Sequence, residues 1–395
     1  KKLHPIYTAE SGSSSGGSWV SGIKTLIYVV YKSIRTVVFS NKLNFLLPFG
    51  PAAILAWVFF LSLVGIAPLA ERLGYATEQL AFFTEPTVGG LLNATFGNAT
   101  ELIISIFALK SGLIRIVQLS LLGSILSNLL LVLGCAFLCG GLVLQKEQLF
   151  NKVTAVVNSG LLLMAVMGLL LPTVLHYTHT EVYFGKSELD LSRFSSCIML
   201  VTYAAYLLFQ LKSQSDQYVS LNEIEEGVDD DKAPQISKWE SVIWLLVITT
   251  CVSILSEYLV DTIEGTAIAL NIPLSFISVI LLPLVGNAVD HASAITFAMK
   301  DKLDITLGVS IGSTTQIALF VIPFSVVLGW IMGQAMDLNF QLFETTTLVI
   351  SILVVALMLQ EGTSHYFKGL ILLLCYLIVA ASFFVHDSSA GEEKN

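Results

Sequence analysis

The sequence predicts an all-α polytopic membrane protein of about eleven transmembrane helices, arranged as one N-terminal helix and two inverted five-helix repeats. Three observations lead there. The 395 residues are 55% hydrophobic and only 12% charged, with mean hydropathy +0.79. That is about half the ~25% charge of a soluble domain. The apolar residues fall in long uncharged runs, at 116–145, 153–180, 194–211, 265–289, 305–336 and 369–386, each near or above the ~20 residues that cross a bilayer. Finally, the two halves of the chain repeat each other.

In chain order, residues 1–42 form a polar arm, rich in Ser and Gly at 10–18, without the apolar core and cleavage site of a signal peptide. Within it, 23–39 interleaves apolar residues with Lys24, Lys32 and Arg35. This suits an amphipathic helix on the membrane surface, or an extension of the first span. The spans are expected near 43–57, 59–83, 87–109, 116–143, 153–175, 194–211, 239–263, 274–299, 305–331, 342–360 and 368–386, and 387–395 is a tail. With the N-terminus cytosolic, fourteen Lys and Arg fall in cytosolic segments and five on the other side, as the positive-inside rule asks. The C-terminus is then lumenal.

Between spans six and seven lies a polar segment, 212–238, with Glu223, Glu225, Glu226, Asp229, Asp230 and Asp231. It reads either as a solvated linker or as a strip that concentrates cations near a pore entrance. The net charge of −9 owes much to it, and nothing resembles a basic nucleic-acid face. The five cysteines all lie in apolar runs and read as small hydrophobes, not as a metal or disulfide framework.

The repeat is explicit. Residues 97–134 (GNATELIIS…) and 286–329 (GNAVDHASA…) both begin Gly-Asn-Ala-x-acid. Gly97 and Gly286 stand 189 positions apart, as do Gly123-Ser124 and Gly312-Ser313. Glu71 and Glu78 in span two answer Glu257 and Glu264 in span seven, each pair on one helix face. The repeated unit is 59–211 and 239–386, five spans each. An odd number makes the second copy enter from the opposite side, the inverted architecture of alternating-access transporters.

Glu101 and Asp290 occupy equivalent places inside apolar spans. A charged side chain there costs about 2.5–3.5 kcal/mol on insertion scales and ordinarily marks an ion or proton path. Asn98 and Asn287 precede them by a turn, and Ser127, Asn128, Ser313 and Gln316 lie on the following spans. Carboxylate and amide oxygens without thiolates suit hard cations, Ca²⁺ first and Mn²⁺ next. The same carboxylates accept protons, so a cation and protons would exclude each other at one site. Glu78 and Glu264 are candidates for an access path and His291 for proton coupling, whereas Glu71, Glu257 and Asp261 are expected nearer the membrane faces. Gly97 and Gly286 would permit close backbone approach or unwinding.

These motifs, with GSILSN at 123–128 and GSTTQI at 312–317, resemble the two repeats of the Ca²⁺/H⁺ exchanger (CAX) family. IAPLAERLGYATEQLAF at 66–82, PTVGGLLNATFGN at 86–98 and FAMKDKLDITLGV at 297–309 look most like plant vacuolar members. The resemblance implies a vacuolar membrane antiporter that moves cytosolic Ca²⁺, and Mn²⁺ or Cd²⁺, in exchange for lumenal H⁺, with no resident cofactor and no catalytic residues. It places the family's paired motif glutamates at Glu101 and Asp290 and its acidic loop at 212–238. Asp290 departs from the family's Glu, withdrawing the carboxylate by roughly 1.5 Å. Glu85 stands where a small residue is usual, and the turn between spans one and two is short. A Na⁺-driven Ca²⁺ exchanger and a passive cation channel are the alternatives. The sequence leaves the oligomeric state open.

Overall fold

In a bilayer every backbone N–H and C=O must bond within the protein, and a helix does this within a single segment. The apolar runs accordingly fold as long helices. A computed structural model describes residues 25–33, 35, 58–84, 88–89, 92, 95–183, 186–222 and 234–386. The chain divides into two compact units, Lys1–Phe45 and Leu46–Asn395. In the first, helix α1 covers 25–33, and Leu26, Ile27, Tyr28 and Tyr31 are all exposed on it.

The second unit contains α2 (Val58–Ala81), α3 (Ala99–Lys110), α4 (Ile114–Leu144), α5 (Lys152–Tyr177), α6 (Lys186–Asn222), α7 (Lys238–Leu270), α8 (Leu274–Gly286), α9 (Ala288–Met299), α10 (Leu303–Met332), α11 (Leu342–Leu359) and α12 (Tyr366–Val385). Eight of these helices are long and apolar enough to span, and α8 with α9 makes a ninth candidate, bent by 59°. The expected third span is represented by α3 and the described residues before it. The expected first span, at 43–57, lies outside the described residues.

Local chemistry sets several boundaries. Ser237 and Glu240 close α7 with a reciprocal capping box, and Asn151 caps α5 by accepting from the N–H groups of Val153 and Thr154. Asn271, in the left-handed conformation, ends α7.

Burial sorts the helices into centre and rim. The apolar window of α4 is 83% buried by protein, whereas that of Lys186–Gln210 in α6 is only 22% buried. α4 is therefore the central pillar, and α6 shows most of its apolar surface outward, where lipid is the compatible solvent. Around the centre, α2 packs along α7, α12 along α4, α11 along α5, and α10 along α6. π-helical turns occur at Ser127–Val132, Ile277–Leu281, Gly308–Gly312 and Ile317–Val321, all in the central α4, α8 and α10. Such turns recur at functional sites.

Of the motif glycines, Gly123 makes a close backbone approach, whereas Gly286 stands where the helix breaks. A Cβ on Gly123 would fall onto the backbone of Val279 in α8, whereas Gly286 has open space around it. The reason is geometric: α4 and α8 cross at Gly123, while Gly286 stands at the bend.

Connecting segments gather at two ends. At one end, Gln148–Leu149 pairs antiparallel with Thr363–Ser364, and Lys146 and Gln148 hold Asp301 at 2.5 and 3.0 Å. At the other end, Arg115 pairs with Glu344 at 2.5 Å, and Gln118 donates to Asp337 at 2.9 Å.

Candidate functional site

Both repeat motifs break a helix at the same point. Asn98 (φ −116°, ψ 27°) sits immediately before α3, and Asn287 (φ −102°, ψ 14°) immediately before α9. Glu101 and Asp290 then lie in the first turn of those helices. A helix start carries unpaired N–H groups and a partial positive charge, which favours a carboxylate there. The break also frees backbone carbonyls next to the carboxylate, as in transporters that bind ions at discontinuous helices.

The two motifs meet at a cavity of about 340 Å³. Its wall includes Glu71, Tyr75 and Glu78 of α2, Gly97, Thr100 and Glu101 of the first repeat, and Asn287, Asp290 and Ser293 of the second. Four carboxylates line it, with no Lys or Arg among the lining residues. Arg72, buried beside them, forms an ion pair with Glu71 and lies 5.2 Å from the Tyr75 ring. The set is oxygen-rich and anionic, the donor chemistry of a hard divalent cation.

The cavity narrows sharply past Glu101. Thr100, Glu101, Gly286 and Asn287 also line a void of about 20 Å³ on its far side, shared with Ile104, Ser120, Ser124, Leu282 and Pro283. That is room for about one water molecule. Glu101 and Asn287 thus stand between a roomy vestibule and a narrow void walled in part by the buried Ile104, Leu282 and Pro283. The vestibule runs along α2 toward its Ala81 end, where Tyr75 donates to Gln235 at 3.0 Å and the Gln235 N–H donates to Gln79 at 2.7 Å. It also runs along α9 toward the end clamped by Gln148, which donates to the Ala298 carbonyl at 2.8 Å.

The residues expected at the site divide. Glu101, Asp290, Asn287 and Glu78 share the cavity. Asn98 donates to Gln316 at 2.5 Å, and Asn287 donates to Ser124 at 3.1 Å. Ser127 is buried and bonds back to the Ser124 carbonyl, and Ser313 is half-buried and off the cavity wall. His291 is buried and is not among the residues that line the cavity. Glu264 is exposed on α7, away from the cavity, and Glu257 meets Lys110 at 3.3 Å. Glu71, expected nearer a membrane face, lines the cavity together with Glu78 and also pairs with Arg72. Glu223, Glu225, Glu226, Asp229, Asp230 and Asp231 lie outside the described residues.

Sequence reasoning missed Tyr75, Thr100, Ser124 and Ser293 as site residues. The signal for two of them was available. Tyr75 falls on the Glu71–Glu78 face at helical spacing, and Ser293 stands one turn beyond Asp290.

Comparison with known proteins gives the same picture from another direction. The sodium/calcium exchanger protein family matches residues 54–212 and 240–385. Vacuolar cation/proton exchanger 5 of Arabidopsis thaliana is 68% identical over 96% of this chain and 89% of its own. Vacuolar cation/proton exchanger 2 of Oryza sativa subsp. japonica is 68% identical over 90% and 85%. Among solved structures, native YfkE superposes with TM-score 0.73 at 37% identity, covering 87% of this chain and all of that one. An H⁺/Ca²⁺ exchanger, CAX, shares the fold, with TM-score 0.65 at 12% identity, over 87% of this chain and 91% of its own.

Proposed function

From the premise that the chain belongs to the sodium/calcium exchanger protein family, we propose that it is a vacuolar antiporter carrying cytosolic Ca²⁺ into the vacuole in exchange for lumenal H⁺. The observation that carries this reading is the single cavity lined by both Glu101 and Asp290, one acid from each repeat. Relatives at 68% identity are named cation/proton exchangers, which favours H⁺ over Na⁺ as the driving ion.

The mechanism follows from charge. A divalent cation in the vestibule is held by the Glu101 and Asp290 carboxylates together with amide and backbone oxygens. Protonation removes the negative charge that holds the cation, so either the cation or protons occupy the site. In this reading the packing of Ile104, Leu282 and Pro283 beyond the carboxylates serves as the plug that shuts the far side while the near side is open. Moving the plug to the other side of the carboxylates completes a cycle, and mutual exclusion makes that cycle an exchange. A passive channel would need a path through the plug.

The vestibule faces the cytosol in this reading. Its mouth lies at the end of α2 and the start of α7, the side on which the charge distribution places the acidic 212–238 segment. Those acids then raise cation concentration at the mouth.

Proteoliposomes of the purified chain decide the matter. An acid interior drives Ca²⁺ uptake, excess Mn²⁺ competes, and Na⁺ neither drives nor competes. Uptake driven by a Na⁺ gradient and indifferent to pH would refute the assignment.

A further inference from the structure

At the end of the molecule away from the cavity mouth, the turn between α5 and α6 gathers ionisable groups that the exchange mechanism does not use. His176 comes from the last turn of α5, Glu181 from the turn, and Glu188 from the first turn of α6. Nδ1 of His176 lies 2.6 Å from Oε2 of Glu188 and 3.4 Å from Oε1 of Glu181. One ligand atom from each residue falls within 4.8 Å of the others.

Both carboxylates are withdrawn from water. The Glu181 side chain is 0% exposed and that of Glu188 6%. Oε1 of each is buried with no hydrogen bond of ordinary geometry among the described residues, the Asn339 side chain lying beside Glu188. Oε2 of Glu181 accepts from the Glu188 N–H at 3.2 Å. Asp337, from the loop before α11, adds further negative charge beside Glu188. A single imidazolium balances at most one of these acids, and burying an uncompensated carboxylate is costly. Two buried carboxylates, converging on one imidazole that can neutralise only one of them, form a preformed cation receptor.

We propose that His176, Glu181 and Glu188 bind a divalent cation of borderline character, Mn²⁺ or Zn²⁺, at a site separate from the transport path. One imidazole nitrogen with two carboxylate oxygens suits these ions, whose ligand distances are about 2.0–2.2 Å for Zn²⁺. Ca²⁺ prefers an all-oxygen shell of six to eight ligands, so the imidazole discriminates against the transported ion. A bound ion ties the end of α5 to the start of α6 and stabilises that peripheral pair.

The test uses the purified chain with Mn²⁺ as the probe, followed by electron paramagnetic resonance. A Glu101→Gln/Asp290→Asn background removes the cavity carboxylates. That background should retain a single bound Mn²⁺ that excess Ca²⁺ fails to displace, and its thermal unfolding temperature should rise with Mn²⁺. Adding His176→Gln should weaken binding by about tenfold or more. Glu181→Gln, in the turn, should act in the same direction and serves if the His176 variant does not fold. A background that binds no Mn²⁺, or variants that bind it as the background does, overturns the proposal and leaves an imidazole–carboxylate pair only. Any additional Mn²⁺ bound by the unmodified chain reports the cavity, so the two readings fail separately.

Discussion

Asn98 donates to Gln316 across the repeat boundary at 2.5 Å, whereas its counterpart Asn287 donates to Ser124 at 3.1 Å. The repeat register makes Ser127 the counterpart of Gln316, and Ser313 the counterpart of Ser124. The two asparagines therefore bond one helical turn apart on equivalent helices. Two copies related in sequence but not in bonding are what alternating access requires of each state, and exchanging the two patterns should produce the opposite opening.

That exchange yields a prediction for Ser124 and Ser127. In the state open to the other side, Asn287 bonds Ser127 and Asn98 bonds Ser313. Ser127→Ala should favour the present state and Ser124→Ala the other. A cysteine at cavity-lining Ser293, in a chain otherwise free of cysteine, should react faster with a cytosolic thiol reagent in the first variant and slower in the second. Equal rates would contradict the exchange.

Glu101 lines the cavity and should be indispensable. Glu101→Gln keeps the shape but removes both the charge and the proton site. Ca²⁺ uptake into acid-interior vesicles should fall to background while the variant still folds, as size-exclusion chromatography would report. Normal uptake would place the site elsewhere.

Asp290 is the shorter acid, and the cavity beside it has room. Asp290→Glu should therefore be accommodated and should lower the KM for Ca²⁺, because the carboxylate reaches farther toward Glu101. An unchanged or higher KM, measured as initial uptake rate against Ca²⁺ concentration, would mean that the cavity is already fitted to aspartate.

Gly123 should tolerate no side chain. The Val279 backbone occupies the position of the missing Cβ, and a backbone cannot swing aside as a side chain can. Gly123→Ala should destabilise by about 3 kcal/mol or more, the upper range for overpacking. Gly312→Ala, its repeat counterpart with open space around it, should fold normally. Comparing the thermal unfolding of the two variants checks both.

Asp301 should give an acid-sensitive tie. Its hydrogen bond from Lys146, and then that from Gln148, hold its carboxyl below the usual carboxylate range. A depressed folded-state pKa stabilises above the unfolded value and is lost as pH falls through the folded one. Asp301→Asn should lower neutral stability slightly and, by the same amount, flatten the acid limb of a stability-against-pH curve below about pH 4, a small effect because the group is exposed.

Composition, run length and the Gly-Asn-Ala-x-acid repeat were enough to determine that this chain is helical, spans a membrane, and carries paired acids in duplicated motifs. Hydrophobic length and local motif chemistry are properties of contiguous segments, so they are written in the order of residues. The placement of Glu71 in one cavity with Glu101, the burial of His291 outside the cavity lining, and the cluster of His176 with Glu181 and Glu188 depend on which helices become neighbours. Above all, two copies alike in sequence bond differently at Asn98 and Asn287. Only packing could decide this, because a duplicated sequence is symmetric and a transporter open on one side is not.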